Sequence, residues 1–353
     1  MKKIRYYENL DGLRGIAALM VVICHFFLMP SVIGYVHTDL YGKITKFGQH
    51  GVSLFFVLSG FVITRILINN RNENNYFRQF YWRRALRIFP LYYLFLLCWY
   101  FVLPLIVAQP IVPFNKQFQF YLYLQNFDWL TGLSETAPLH PFHFWSLAVE
   151  EHFYLIWPLV VYLTPTQKLS KVIISIVILI IPVKIFFLSH NISINKITFT
   201  RIDQILLGSL LAYYEYTTIL NEKKEFFSKI FKMILLLSIP AAFFIFGNQN
   251  SFHFIKELFK YNLLGLIFFS VIGLLIISPS TKRYNRFLES PVMQYLGKIS
   301  YGIYVWHLAV LVLQDHFFLT KIILVDLSIS TILTLVFAHI SYFYFESKIL
   351  KYK

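Results

Sequence analysis

The chain has 353 residues, 58% of them hydrophobic and only 14% charged. A soluble domain carries roughly 25% charged and roughly 45–50% apolar residues, so an ordinary water-facing globule is excluded. The 32 Lys and Arg against 17 Asp and Glu give a formal charge of +15. No polar segment is long enough to make a nucleic-acid-reading module, and the basic residues fit the cytoplasmic loops of a membrane protein.

Crossing ~30 Å of hydrocarbon at ~1.5 Å per residue takes about 20 apolar residues. Stretches of that kind recur at 13–33, 48–68, 88–108, 143–163, 172–190, 203–219, 231–247, 262–278, 299–319 and 322–345. The expected fold is therefore all-α: a polytopic transmembrane bundle of about ten helices, one domain over 1–353, with no appended soluble domain. The polar stretch through Arg14 and the lack of a small-residue cleavage site make the first helix a retained one. With the N-terminus inside, the segments 1–14, 65–87, 164–171, 220–232, 279–298 and 346–353 face the cytoplasm. They hold 23 of the 32 basic residues; Lys43 and Lys46 are among the remainder. Both termini are accordingly expected in the cytoplasm.

Chemistry-bearing side chains appear in the first span. Arg14 and His25 are 11 residues apart, which returns them to nearly one face about 16 Å apart along the axis. This places Arg14 at the inner edge and His25 near mid-bilayer. An ionisable group inside a membrane usually marks a pathway or site; the competing reading is a snorkelling arginine and a histidine making one interhelical hydrogen bond. Cys24 points about 100° away from His25 and reads as packing. With Cys98 it forms no disulfide framework or zinc spacing.

In the second span, Gly60 suits close helix packing, and Ser59 could face a cavity. Before the third span come Arg78, Arg83, Arg84 and Arg87. Arg84 and Arg87 share a helical face and suit phosphate oxygens, or else anionic lipid headgroups. The fourth span carries His143, Ser146, Glu150, Glu151, His152 and Tyr154. Ser146, Glu150 and Tyr154 form one polar stripe, and a carboxylate in low dielectric can orient a histidine or take a proton. The spacing of His140, His143, Glu150, Glu151 and His152 matches no standard zinc motif, so no metal is expected. Arg201 and Asp203 read as a local ion pair. Ser300, Tyr304 and His307 share one face of the ninth span, as a helix contact or as part of a site.

Five segments together resemble the acyltransferase 3 family of bacterial integral-membrane proteins. They are Leu10-Asp-Gly-Leu-Arg14-Gly-Ile-Ala-Ala with His25 after it, Phe55-Phe-Val-Leu-Ser59-Gly-Phe61, Arg84-Ala-Leu-Arg87-Ile-Phe-Pro90, Phe144-Trp-Ser-Leu-Ala-Val-Glu-Glu151-His-Phe-Tyr154, and Leu296-Gly-Lys-Ile-Ser-Tyr-Gly-Ile-Tyr304-Val-Trp-His307. His152 departs from the pattern, standing where glutamine is expected.

The resemblance implies an inner-membrane acyltransferase with acyl-CoA, usually acetyl-CoA, as donor substrate and no permanently bound cofactor. The implied acceptor is a hydroxyl of a cell-envelope polysaccharide, lipid-linked glycan or other carbohydrate. Membrane lipid and separate envelope-glycan assembly proteins are the further partners expected; nucleic acid is not. Arg14, Arg84 and Arg87 would hold the coenzyme phosphates. His25 would act as general base or transient acyl carrier, and Glu150 or Glu151 would fix its tautomer or bind the acceptor. Ser59, Ser146, Tyr154, Tyr304 and His307 would line the cavity. The alternative is a secondary transporter or a lipid-linked glycan flippase, but no matching halves of the kind such proteins show are visible in the chain.

Overall fold

A computed structural model describes residues 5–29, 48–127, 139–247 and 253–352. Lys2, Lys3, Lys43, Lys46 and Lys353, which entered the charge balance, lie outside them. No β-strand occurs among the described residues. In chain order the principal helices are α1 (Glu8–Leu28), α2 (His50–Asn69), α3 (Tyr76–Leu97, prolonged by a π-helical turn Cys98–Val102), α4 (Phe114–Tyr121), α5 (Trp145–Leu163), α6 (Thr166–Ser189), α7 (Thr198–Tyr216), α8 (Lys224–Gly247), α9 (His253–Ile277), α10 (Pro291–Phe317) and α11 (Ile323–Ile340, prolonged by a π-helical turn Ser341–Glu346).

Among the described residues, eight helices are long and apolar enough to cross a membrane: α1, α2, α3, α6, α8, α9, α10 and α11. The other two expected positions are occupied by α5 and α7, each of 19 residues. Polar side chains lower the apolarity of both, and in α7 Arg201, Asp203 and Gln204 are buried in protein. On the outer helices the surface is apolar instead: Leu236, Phe243 and Leu324 are 73%, 77% and 75% exposed. Such exposure suits hydrocarbon rather than water, and the chain is a multi-pass membrane protein.

The helices begin and end where tertiary partners allow. Hydropathy placed the first span at 13–33, but α1 runs from Glu8 to Leu28. Its polar first turn is buried: the Asn9 amide donates to Asn285 Oδ1 at 2.9 Å and to the Leu275 carbonyl at 3.1 Å. In the same way α3 and α10 begin at Tyr76 and Pro291, earlier than the apolar stretches at 88 and 299 suggested.

The chain forms two compact units. The first comprises residues 1–10, 53–77 and 145–289. Here α7 packs on α5, α6 and α9, and α8 packs on α9. At the α2–α7 crossing, Gly60 and Gly208 let the backbones meet. A Cβ on Gly60 would overlap the Ile205 carbonyl oxygen, and one on Gly208 the Val57 carbonyl oxygen. Several polar groups in this unit are matched in pairs. Arg65 grips both oxygens of Glu215 at 3.0 Å, and the Tyr7 hydroxyl donates to the same carboxylate at 3.1 Å. Burial and the Glu215 charge push the Tyr7 hydroxyl up to about 12, so it remains a donor. The buried Lys184 ammonium meets Asp203 at 2.6 Å and Asn262 at 2.7 Å. Asp203 therefore pairs with Lys184, not with Arg201 as its neighbour in sequence suggested. Arg201 instead donates to Gln204 at 3.0 Å and lies 3.5 Å from the Tyr261 ring centroid.

The second unit comprises residues 11–52, 78–144 and 290–353. Gly297 brings α10 against α1, since a Cβ there would overlap the Asp11 carbonyl oxygen. On its other side α10 packs on α11. The connection between these two helices is tied by Asp326, whose carboxylate accepts from Thr320 N–H at 2.9 Å and Lys321 N–H at 3.0 Å.

Candidate active site

The second unit gathers three histidines. His25 stands in the last turn of α1, because the helix is displaced towards the N-terminus relative to the expected span. It therefore lies near the C-terminal end of α1. His307 comes from α10, which presents Tyr304 and His307 on one face. The third, His143, belongs to a short helical turn, Phe142–Phe144. Gln125 secures that segment through the Phe144 carbonyl at 2.9 Å, and Trp99 does so through the Leu139 carbonyl at 3.1 Å.

His25 Nδ1 lies 2.6 Å from His307 Nε2, and His307 Nδ1 lies 2.6 Å from the Tyr304 carbonyl oxygen. A carbonyl only accepts, so His307 Nδ1 carries hydrogen. A neutral His307 then has its lone pair on Nε2 and accepts from His25 Nδ1–H. It follows that His25, when neutral, holds its own lone pair on Nε2. One backbone carbonyl thus sets the tautomers of two side chains in series. His307 is fully buried while His25 is only half-buried, so the imidazole with the free lone pair is also the more accessible of the two.

Aromatic rings surround the pair. Phe142 meets the His25 ring edge-on at 5.2 Å, and His143 meets the His307 ring edge-on at 4.9 Å. The Tyr304 hydroxyl donates to the His143 carbonyl, so Tyr304 holds His307 through its backbone and the Phe142–Phe144 turn through its side chain. Ser300, on the same face, bonds to the Gly297 carbonyl of its own helix at 2.8 Å and takes no part.

The three expected phosphate-binding arginines are all in this unit. Arg14 pairs with Asp11 at 2.5 Å and remains partly exposed. Arg87 is 3.9 Å from Glu346, with its guanidinium 5.8 Å from the Tyr301 ring centroid. Arg84 is half-buried on the same helix. In the first unit, Ser59 and Tyr154 meet through their hydroxyls at 2.5 Å, Ser146 is buried, and Glu150 and Glu151 are half-buried on α5. The partner of His25 Nδ1 is His307. Sequence spacing put His307 on a polar face without revealing what it would meet. No group of three or more His, Cys, Asp or Glu with metal-binding geometry occurs among the described residues.

O-acetyltransferase OatA of Staphylococcus aureus is 30% identical over 374 aligned residues, covering 98% of this chain and 58% of the relative. A putative O-acetyltransferase from the same species is 25% identical with the same coverage. The chain thus spans somewhat more than half the length of these curated relatives. No solved structure matches it. The match to the acyltransferase 3 family, described as an acyltransferase domain, extends over residues 7–343, and the chain belongs to that family.

Proposed function

We propose that the protein is an inner-membrane O-acetyltransferase that moves an acetyl group from acetyl-CoA to a hydroxyl of a cell-envelope glycan. The observation that carries this reading is the His25–His307 pair: a half-buried imidazole whose lone pair is fixed on Nε2 by a fully buried second imidazole. A general base needs that arrangement, an accepting nitrogen whose tautomer cannot drift. In the reaction, Nε2 of His25 takes the proton of the acceptor hydroxyl as its oxygen attacks the thioester carbonyl carbon. The C=O electron pair moves to oxygen. On collapse the C–S bond breaks, and the coenzyme thiolate takes the proton from His25. Imidazolium formed on the way is supported through Nδ1–H by His307.

Arg84, Arg87 and Arg14 are the basic groups suited to the coenzyme phosphates. Arg14 lies eleven residues before His25 on one helix, about 16 Å along its axis, which a pantetheine arm can span. With the arginines at the cytoplasmic side, both termini are inside.

The test uses isolated membranes carrying the full chain and acetyl-CoA labelled in its acetyl group, read as alkali-labile label in envelope glycan. Wild-type membranes are expected to transfer label. His25→Ala, at matched abundance, is expected to lose transfer by a factor on the order of 10²–10⁴. Full transfer by His25→Ala overturns the mechanism, and no transfer by wild type overturns the activity.

A further inference from the structure

The carboxylate that faces Arg87 is one that the acyl-transfer steps leave unused. Glu346 is 5% exposed, its Oε1 accepts from the Ser341 hydroxyl at 3.0 Å, and its Oε2 lies 3.9 Å from the Arg87 guanidinium. At that distance the two form an ion pair without a hydrogen bond. A carboxylate withdrawn from water is costly even with a counter-charge near it. A glutamine would keep the bond with Ser341 without that cost, so packing alone does not account for an acid here.

The backbone is shaped to bring it there. Glu346 closes the π-helical turn Ser341–Glu346. A π turn takes in one residue more than an α turn, which rotates everything after it by about 100°. In an uninterrupted α-helix Phe345, not Glu346, would face Arg87. The π turn Cys98–Val102 has a local cause: it leads into Pro104, which cannot continue α-helical bonding. Neither proline nor glycine occurs from 323 to 353, and π turns frequently mark functional sites.

The start of α3 and the end of the chain run antiparallel at this point. The Trp82 indole donates to the Tyr352 carbonyl at 3.2 Å, and farther along both segments Arg87 meets Glu346. The Tyr301 ring centroid is 5.8 Å from the Arg87 guanidinium, and its hydroxyl donates to the Ile88 carbonyl at 2.7 Å. Between these neighbours the Arg87 side chain remains 27% exposed. An arginine forked onto a carboxylate would have to give up those bonds to take a phosphate. One aimed by a charge 3.9 Å away keeps its N–H groups for the ligand. Ordering a long side chain before binding spares that cost on binding, a factor of about three to ten in affinity.

We propose that Glu346 is a positioning residue that aims Arg87 at a phosphate of the coenzyme while touching neither coenzyme nor acceptor. The assignment rests on the acetyl-CoA reading and adds to it. Repulsion between the carboxylate and the phosphate is the opposing effect. Glu346 lies on the buried side of the guanidinium and a phosphate would take the open side. The contact with Arg87 is therefore the shorter one, and the net effect favours binding.

The experiment measures the Kd for coenzyme A of the purified full chain in detergent, by calorimetry, and the apparent KM for acetyl-CoA in membranes. Glu346→Gln is expected to raise both by a factor of about three to ten, with the maximal rate within about twofold of wild type. In an Arg87→Met background the same change is expected to add less than about twofold, because Glu346 acts only through Arg87. Should Glu346→Gln fail to accumulate, Ser341→Ala decides the question: by releasing the carboxylate it is expected to raise the Kd about threefold, and an unchanged value overturns the assignment. An unchanged or tighter Kd in Glu346→Gln also overturns it, tighter binding being what repulsion alone produces. So does an equal loss with and without Arg87, which is what a packing role gives. A wild type that does not bind coenzyme A defeats the donor reading and this assignment with it. A wild type that binds, beside a Glu346→Gln that binds equally, defeats this assignment alone.

Discussion

His307 is hydrogen-bonded at both nitrogens, and that double engagement distinguishes it chemically from His25. Removing its Nε2 acceptor frees the His25 ring to turn or to change tautomer. His307→Phe keeps the ring volume but not the acceptor. It is expected to slow acetyl transfer by a factor on the order of 10²–10⁴, the range for losing a group that orients a base, with protein abundance unchanged. His307→Gln, which can still accept from Nδ1–H, is expected to retain more activity than the phenylalanine variant. Rates equal to wild type in His307→Phe would show that the pairing is only structural. At this scale the sequence indicated which residues carry chemistry but not which of them touch. His25 and His307 are 282 positions apart, and helical spacing defines a face without naming what lies against it. His143 stood at the start of the fourth apolar span and was weighed there only within a metal spacing, yet nothing local signalled that it would lie against the His307 ring.

Helix pairs are held by backbone proximity as well as by side chains. Gly60 and Gly208 oppose one another across α2 and α7, each filling the space where the other helix presents a carbonyl. Gly60→Ala is expected to destabilise the detergent-solubilised protein by at least the 1–3 kcal/mol typical of overpacking, seen as a lower melting temperature. Gly265→Ala meets the flexible end of Leu207 instead and is expected to cost less; a larger loss there than at Gly60 would contradict the packing argument. Hydropathy found the ten long helices but not α4, and it misplaced many ends. It registers the stretch that can face hydrocarbon, whereas a helix continues wherever its polar turns find partners in protein. Asn9, sheltered by Asn285, and Tyr76, whose hydroxyl donates to the Pro158 carbonyl, both lie in helical turns for that reason. Polar α5 and α7 were recognised only because their flanking apolar residues filled out the period.

For the molecule as a whole, the distribution of basic residues predicts an orientation that can be measured directly. A C-terminal green fluorescent protein fusion is expected to fluoresce and a C-terminal alkaline phosphatase fusion to be inactive, with the opposite result for fusions in the 190–197 connection. An active phosphatase at the C-terminus would reverse the assignment.

The buried Lys184–Asp203 pair bears on how the chain enters the bilayer. Taken singly, α6 would bring an ammonium and α7 a carboxylate towards hydrocarbon, where a charge costs up to about 2.5–3.5 kcal/mol at the bilayer centre. Joined by the short 190–197 connection and sealed against water, with side chains 0% and 1% exposed, the two neutralise each other. Their biogenesis is therefore that of a hairpin: α6 is best kept waiting at the insertion machinery until α7 has been made, so that both are released into lipid as one uncharged unit.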